Sequence, residues 1–453
     1  MPKLRIPALL LSLLALLAAA ASPAAAQSIL RDAETEALLR DMSAPLVKAS
    51  GLGAGNVDIV LVNDASVNAF VAGGQAVYIN SGLIGEADTA AEVQGVIAHE
   101  LGHVTGGHAV LNLGSRGATN ISLLSLLLGA AAAAAGGGEA AMGVIMAGQQ
   151  AAMGKFLAYN RSQEASADAA GAQYLSTAGI SGRGSIEFFK KLQNMEFRYG
   201  YRPQDGDEFY SSHPLTADRI ATLQDTYEAD PAWTKPDDAA LQQRFVRAKA
   251  KLYGFLAEPR LVMRRYPKTD NSVAARYARA YAYHRESQFD LARAETEALI
   301  ASDPDDPYFL ELDGQILLEA GKAAEALAPL RKATELSGNQ PLIATLFGHA
   351  LIATEDPANF REAQGVLKTA VARDRDNPFA WYQLGVIYAA NGDMPRAYLA
   401  SAEQQVLSGR MEEALRSAQA AAAGLPSGTP DWLRAQDIEM QARAELERDK
   451  KRR

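Results

Sequence analysis

The stretch TAAEVQGVIAHELGHVT, residues 89–105, decides how the first half of the chain is read. Thr89 and Glu92 have the S/T-x-x-E spacing that opens a helix, each side chain serving a backbone N–H at its start. Val93, Val96, Ile97 and Leu101 follow at helical spacing and can bury one face. On that helix His99 and His103, four apart, share a face and can direct both imidazoles at one metal ion. Glu100 stands beside the first of them, within reach of a water at that metal. Two histidines and an adjacent carboxylate are the donor pattern of a catalytic zinc site, which keeps one position open for water. The same five residues also arise on ordinary helices, so the rest of the chain has to decide.

The other donors are few. The chain has no cysteine and six histidines, at 99, 103, 108, 213, 284 and 349. A thiolate metal site, a cysteine nucleophile and any disulfide are excluded, so a metal must be held by nitrogen and oxygen. One zinc pattern, H-E-x-x-H-x-x-G-x-x-H, accepts Gly106 but needs a histidine where Ala109 stands; His108 comes one position early. A downstream carboxylate is the better third ligand. In RSQEASAD, residues 161–168, Glu164 and Asp168 are four apart on one face of an alanine-rich helix. Glu164, 65 residues after His99, is best placed to ligate, and Asp168 can accept the spare N–H of a ligand histidine. The alternative for the pair is a solvated helix face. Farther on, His213-Pro214 begins a helix that carries Arg219. A histidine or arginine near the metal could polarise a substrate carbonyl or stabilise an oxyanion.

Upstream, Gln27 to about Ser50 has helical spacing, and Val57–Val62 reads as a strand. Two more strands are expected near 67–72 and 75–80, with Gly73-Gly74 as the hairpin turn between them. From Gly117 to Gly154 the only charged residue is Glu139. The uncharged run 121–135, the break Gly136-Gly137-Gly138 and the run 140–147 are each too short for a comfortable membrane span. They read as a helical hairpin, buried or covering the active site. The sharper reading is peripheral contact with a membrane or an apolar substrate through 121–147.

Composition sets the setting. The 453 residues suffice for two or three domains, and 48 % apolar with 21 % charged residues is globular composition. A net charge of −9 offers no basic surface to nucleic acid. Residues 1–5 are MPKLR, an apolar run follows to about Ala21, and SPAAAQ closes it at 22–27. This is the pattern of an export signal, cleaved after Ala26. An exported chain without disulfides points to the periplasm of a Gram-negative cell.

The last part of the chain repeats. Pro307, Pro341 and Pro378 are 34 and 37 apart, and Gly314, Gly348 and Gly385 each follow seven residues later. Ala326 and Ala397 lie 19 after their prolines, and Ala363 lies 22 after its own, so three residues are inserted around 355–359. One step of 34 back from Pro307 reaches Val273. A 34-residue period with small residues where helices touch is the tetratricopeptide pattern, which stacks into a superhelix with a concave face.

Taken together, HELGH at 99–103, EASAD at 164–168, His213-Pro214 with Arg219, and Asn68-Ala69-Phe70 before the hairpin resemble the motifs of zinc peptidases related to HtpX and the CAAX prenyl proteases. With the export signal and the repeats, nearly the whole mature chain resembles the periplasmic β-barrel-assembly-enhancing proteases. That resemblance implies one zinc ion per chain on His99, His103 and Glu164. It implies Glu100 as general base and then proton donor to the leaving amine, Asp168 behind a ligand histidine, and His213 and Arg219 beside the ion. Asn68, Ala69 and Phe70 would lie on a sheet edge that pairs with extended substrate. The partners implied are unfolded or misassembled outer-membrane proteins, with the repeats docking them or the barrel assembly machinery. His213 could instead fill the metal's fourth position and silence the enzyme until a loop moves.

The expected architecture is an export signal at 1–26 and an α+β zinc metallopeptidase domain at 27–230, mostly helical with a small antiparallel sheet. A linker helix region at 231–264 and an all-α tetratricopeptide superhelix at 265–445 complete it. Two rivals stand beside it: a non-catalytic scaffold or chaperone that uses only the repeats, and an integral membrane protease spanning the bilayer through 121–147.

Overall fold

The computed structural model describes residues 28–53, 55–108, 124–126, 138–199, 213 and 216–452. The export signal with its cleavage site, Pro214 and most of 121–137 lie outside the described residues.

The chain opens with a two-residue strand β1 (Ser28–Ile29) and helix α1 (Ala33–Ala49), whose N-cap Asp32 accepts the Thr35 N–H. The helix therefore starts six residues later than the apolar spacing suggested, because the Asp32 cap fixes its first turn. Strands β2 (Asp58–Asn63), β3 (Ala69–Ala72) and β4 (Ala76–Asn80) follow. Gly73 and Gly74, at φ 64° and 97°, turn the β3–β4 hairpin. The sheet is mixed rather than antiparallel. Its order is β1-β2-β4-β3, with β2 and β4 parallel and the other two pairings antiparallel. The cause is the side on which the hairpin docks: β4 seats against β2 and leaves β3 at the edge. Strand periodicity reports which face is buried but not which hairpin arm is inside.

Helix α2 (Ser81–Glu86) leads into α3 (Ala90–Thr105), the helix of the opening stretch. The Thr89 side chain accepts the Glu92 N–H, and the Glu92 carboxylate reaches back to the Asp88 N–H. Helix α4 (Gly138–Ala178) is one unbroken helix of 41 residues, α5 is Arg183–Tyr199 and α6 is Ala217–Glu228. After a 3-10 turn at Pro231–Thr234 come α7 (Ala239–Leu256) and α8 (Pro259–Arg265). One apolar core joins Leu39, Met42 and Leu46 of α1, Val77 and Ile79 of β4, Val93, Ile97 and Leu101 of α3, Leu175 of α4, Phe188 and Phe189 of α5, and Phe245 of α7. Helix α3 runs through its middle; every residue from Ala90 to Val104 is buried. No helix among the described residues is long and apolar enough to cross a membrane.

Ten helices finish the chain in antiparallel pairs: α9 (Val273–Arg285) with α10 (Phe289–Ser302), α11 (Pro307–Glu319) with α12 (Ala323–Leu336), α13 (Pro341–Ala353) with α14 (Phe360–Arg373), α15 (Pro378–Ala390) with α16 (Met394–Leu407), and α17 (Met411–Gly424) with α18 (Pro430–Arg452). The spaced prolines are the first residues of α11, α13 and α15, where a missing N–H costs nothing. The spaced glycines mark where paired helices meet. A Cβ on Gly314 or Gly348 would run into Leu330 or Leu367 of the partner helix. The three inserted residues form the 3-10 turn Pro357–Asn359.

The first turn of α1 is clasped by α7 and the repeats. Ala33 packs with Leu310, Ala333 and Ile343. Glu34 accepts from Arg247 at 2.5 Å and from the Tyr277 hydroxyl at 2.7 Å, while Lys251 reaches Asp32 at 2.5 Å. Arg31 pairs with Asp374 at 2.8 Å.

Candidate metal centre

Two close helix crossings build the site. A Cβ on Gly102 would lie 2.5 Å from the Ala167 carbonyl oxygen, and one on Gly171 would lie 3.1 Å from the backbone of Ala98 and His99. Without side chains at these two points, α3 and α4 approach until His99 and His103 of one face Glu164 of the other. Phe189 of α5 closes the floor, its ring edge-on to His99 with centroids 6.2 Å apart.

Four donors converge. His99 Nε2 lies 3.1 Å from His103 Nε2 and 3.4 Å from His213 Nδ1. Glu164 Oε1 lies 3.0 Å from His213 Nδ1 and 3.4 Å from His103 Nε2, and Oε2 lies 3.4 Å from His99 Nε2. All four residues are buried and could hold one metal ion. Ligands at about 2.0–2.1 Å from a tetrahedral ion sit about 3.3 Å from each other, so the donor set fits such an ion.

The outer nitrogens of the imidazoles are held in turn. His99 Nδ1 is 2.9 Å from Asp168 Oδ1, which leaves its Nε2 for the centre. Asp168 also accepts from Arg219 Nε at 2.5 Å and Nη2 at 2.8 Å. Arg219 Nη1 reaches Glu164 Oε2 at 2.9 Å, and its guanidinium lies over the Phe189 ring. Arg219 thus stands by the group, as the sequence suggests, with its guanidinium ion-paired to Asp168 and Glu164.

His108 enters in a role that sequence reasoning missed. Its Nδ1 is 2.8 Å from His103 Nδ1, and its Nε2 is 3.2 Å from Ser166 Oγ. Helix α3 ends in a Schellman turn: Gly107 is at φ 65°, its N–H donates to Val104 O, and the His108 N–H donates back to His103 O. That reversal swings His108 under His103. The signal was the pair Gly106-Gly107, which ends the helix before a continuing turn could carry His108 away.

The electrostatics favour a cation at the centre. Burial alone would lower the His99 pKa, but hydrogen bonds to Asp168 and Glu164 raise it to about 9. Burial opposes ionisation of Glu164 as well, yet hydrogen bonds from His103, His213 and His99 hold its carboxyl far below the usual range. Burial dominates at His103 and lowers it to about 4. Glu100 differs from all of these. It is fully buried, neither carboxylate oxygen has a hydrogen-bond partner, and burial pushes its pKa up. Its nearest ionisable partner is His213 Nε2, 3.6 Å away. A desolvated carboxylate beside side chains that could hold a metal ion can serve as a general base.

Of the three residues expected on a sheet edge, Ala69 and Phe70 lie in β3 and Asn68 immediately precedes it. Among the described residues β3 ends the sheet order and pairs only with β4; Phe70 stacks on Tyr78 at 5.1 Å, and Asn68 and Ala69 are buried. His284 and His349 lie far along the chain in the repeat helices; His284 Nε2 is 2.8 Å from Glu319.

Residues 31–227 match the family model described as Peptidase family M48, and residues 272–341 and 356–405 match the tetratricopeptide repeat. The chain is similar to the beta-barrel assembly-enhancing protease of Yersinia pestis, 26 % identical over 381 residues, or 83 % of this chain and 76 % of that protein. The protein of the same description from Escherichia coli K12 is 27 % identical over 365 residues, or 78 % of this chain and 72 % of that protein. Metalloprotease LoiP of Escherichia coli K12 is 30 % identical over 180 residues, or 39 % of this chain and 64 % of that protein.

Proposed function

We propose, from the premise that this chain is an M48-family metallopeptidase joined to tetratricopeptide repeats, that it is a zinc-dependent endopeptidase of the periplasm. Its substrates are misfolded or stalled outer-membrane proteins. Residues 27–230 form the catalytic unit. The repeats, 265–445, hold such proteins or the barrel assembly machinery and lend chaperone-like support to assembly. The observation that carries the reading is the convergence of His99, His103, Glu164 and His213 beside the buried carboxylate of Glu100, whose oxygens accept no hydrogen bond.

Zinc suits a donor set of three imidazoles and one carboxylate with no sulfur. When bound, the ion supplies Lewis acidity to a water molecule and to the scissile carbonyl. The chain's own residues do the rest. His99 and His103 hold the ion, oriented from behind by Asp168 and His108. Glu164 completes the protein ligands, and Arg219 positions Glu164 and Asp168 by ion pairs. Glu100 takes the proton of the attacking water and returns it to the leaving amine. Burial raises its pKa, which makes the carboxylate a stronger base than one in water. Asn68, Ala69 and Phe70 begin the edge on which an extended substrate adds as a strand, so recognition rests on backbone bonds and tolerates varied sequence.

His213 Nδ1 lies within 3.4 Å of both His99 Nε2 and Glu164 Oε1, where a fourth ligand would stand. We therefore read this arrangement as a latent state in which the imidazole occupies the place a substrate carbonyl needs. His213→Ala then raises hydrolysis of an unfolded protein; unchanged or reduced hydrolysis rejects self-inhibition. The function as a whole is tested with an unfolded outer-membrane β-barrel protein and its folded form. The wild type cleaves the unfolded one, and Glu100→Gln cleaves neither. Equal cleavage by both enzymes contradicts the proposal.

A further inference from the structure

Helix α4 carries Glu164 and then continues far beyond the metal centre toward its own N-terminus. From Glu164 to Leu175 its inner face is covered by α3, with Ala167 and Gly171 in direct contact. Upstream, none of the described residues covers the same face. Met142, Met153 and Glu164 are spaced by 11 residues, about three helical turns, and Met146 precedes Glu164 by 18, about five turns. All four side chains therefore leave the helix on one side. The three methionines are 59 %, 63 % and 58 % exposed in chain order, a run of large apolar side chains that a folded protein normally buries. On the other side of the helix Gly148 is backed by Ser125, so the segment is braced where it does not need to bind.

We propose that Met142, Met146 and Met153 form a substrate track that leads to the metal centre and grips apolar side chains of an unfolded polypeptide. Three observations select that occupant. The stripe lies on the helix face that bears Glu164, so what lies along it is the chain being cut. From Ala140 to Gly154 there is no charged residue, so the track has nothing to offer a charged partner. Methionine is flexible and polarisable, and accommodates apolar groups of irregular shape. A helix built to lie in a lipid interface would carry a basic face and tryptophan; between 138 and 157 there is one lysine, Lys155, and no tryptophan. The track deepens the proposed function, on which it rests, by making apolar content and length the specificity of the enzyme.

The geometry sets a length. Met153 stands about 16 Å along the helix from Glu164, and Met142 about 33 Å. An extended chain covers about 16 Å with five residues and 33 Å with ten. A four-residue peptide centred on the scissile bond cannot reach the track, and a long unfolded protein covers all of it.

The test compares wild type with the triple variant Met142→Gln, Met146→Gln, Met153→Gln and the conservative triple Met→Leu. For an unfolded protein the glutamine triple is expected to raise KM about tenfold with kcat unchanged, and the leucine triple to restore it. Cleavage of the four-residue peptide stays at the wild-type rate in both. Unchanged KM for the unfolded protein overturns the proposal, and so does an equal loss on both substrates, which marks a structural role. Vesicles of phosphatidylethanolamine and phosphatidylglycerol form the second arm. If the glutamine triple loses vesicle binding while KM for the unfolded protein holds, the stripe is a membrane contact and the proposal fails. If the wild type cleaves neither substrate, the proposed function fails instead. The track is then read by fluorescence anisotropy of a labelled unfolded protein on Glu100→Gln, where adding the three glutamines weakens binding or the track too is refuted.

Discussion

Gly102→Ala separates the metal centre from the fold that carries it. The new methyl would stand 2.5 Å from Ala167 O and 2.7 Å from Ala167 Cα, where ordinary contacts are 3.4–4 Å. Both atoms are backbone, so no side chain can rotate away, and α3 and α4 must part by about 1 Å. Glu164 lies one turn before Ala167 on the displaced helix. Metal ligands tolerate errors of only about 0.2 Å, so Glu164 can no longer share an ion with His99 and His103. The stability cost is modest. Overpacking costs about 1–3 kcal/mol, and replacing a mid-helix glycine with alanine returns about 1 kcal/mol. The expected result is a folded protein with its thermal midpoint near wild type and metal affinity weaker by about 100-fold. Chelator competition measures the affinity, and calorimetry measures the midpoint. Wild-type affinity in the variant would refute the argument that this crossing sets the ligand geometry.

Asp168→Asn keeps shape but removes the charge behind His99 and Arg219; metal affinity measured by competition should fall about 10–100-fold, and an unchanged value would remove Asp168 from the site. A pH effect is expected at the seam between α1 and the repeats. The Glu311 Oε2 atom is buried there without a hydrogen-bond partner, and burial pushes the carboxyl up to about 8 despite Lys251. The folded state thus holds a proton that the unfolded chain releases near 4.5. Its contribution is full below that value and is lost as pH rises to about 8. Calorimetry from pH 5 to 8.5 should show a steeper fall in stability for wild type than for Glu311→Gln; parallel curves would contradict it.

The convergence of candidate metal ligands was readable because helical spacing converts sequence offsets into shared faces. His99 and His103, and Glu164 and Asp168, are each four apart, and the absence of cysteine reduced the choice of third ligand to oxygen or nitrogen. The repeats were readable because proline at the first helical position and glycine at the helix contact are both forced by local geometry. Four features were not. The order of the sheet depends on which arm of the β3–β4 hairpin docks inward, and that is a tertiary choice. The 41 residues of α4 run from Gly138 through Gly143, Gly148 and Gly154, and helix-weakening glycines hide that length in the sequence. His108 comes one position early for the ligand pattern, and sequence spacing alone does not reveal that Gly107 turns the chain back under His103. The clasp of Asp32 and Glu34 by Lys251, Arg247 and Tyr277 joins residues more than 200 apart, and charged residues at a helix start are ordinarily read as caps.

In the proposed mechanism one metal ion sits on His99, His103 and Glu164, and Glu100 performs the proton transfer there. Metal content per chain, measured together with hydrolysis of an unfolded protein, tests both halves in wild type, Glu100→Gln and Glu164→Gln. The account predicts one zinc ion per chain in wild type and in Glu100→Gln, and little in Glu164→Gln after dialysis. It predicts hydrolysis only in wild type, with Glu100→Gln lower by about 100-fold or more. Full zinc in Glu164→Gln, or undiminished hydrolysis by Glu100→Gln, would contradict it.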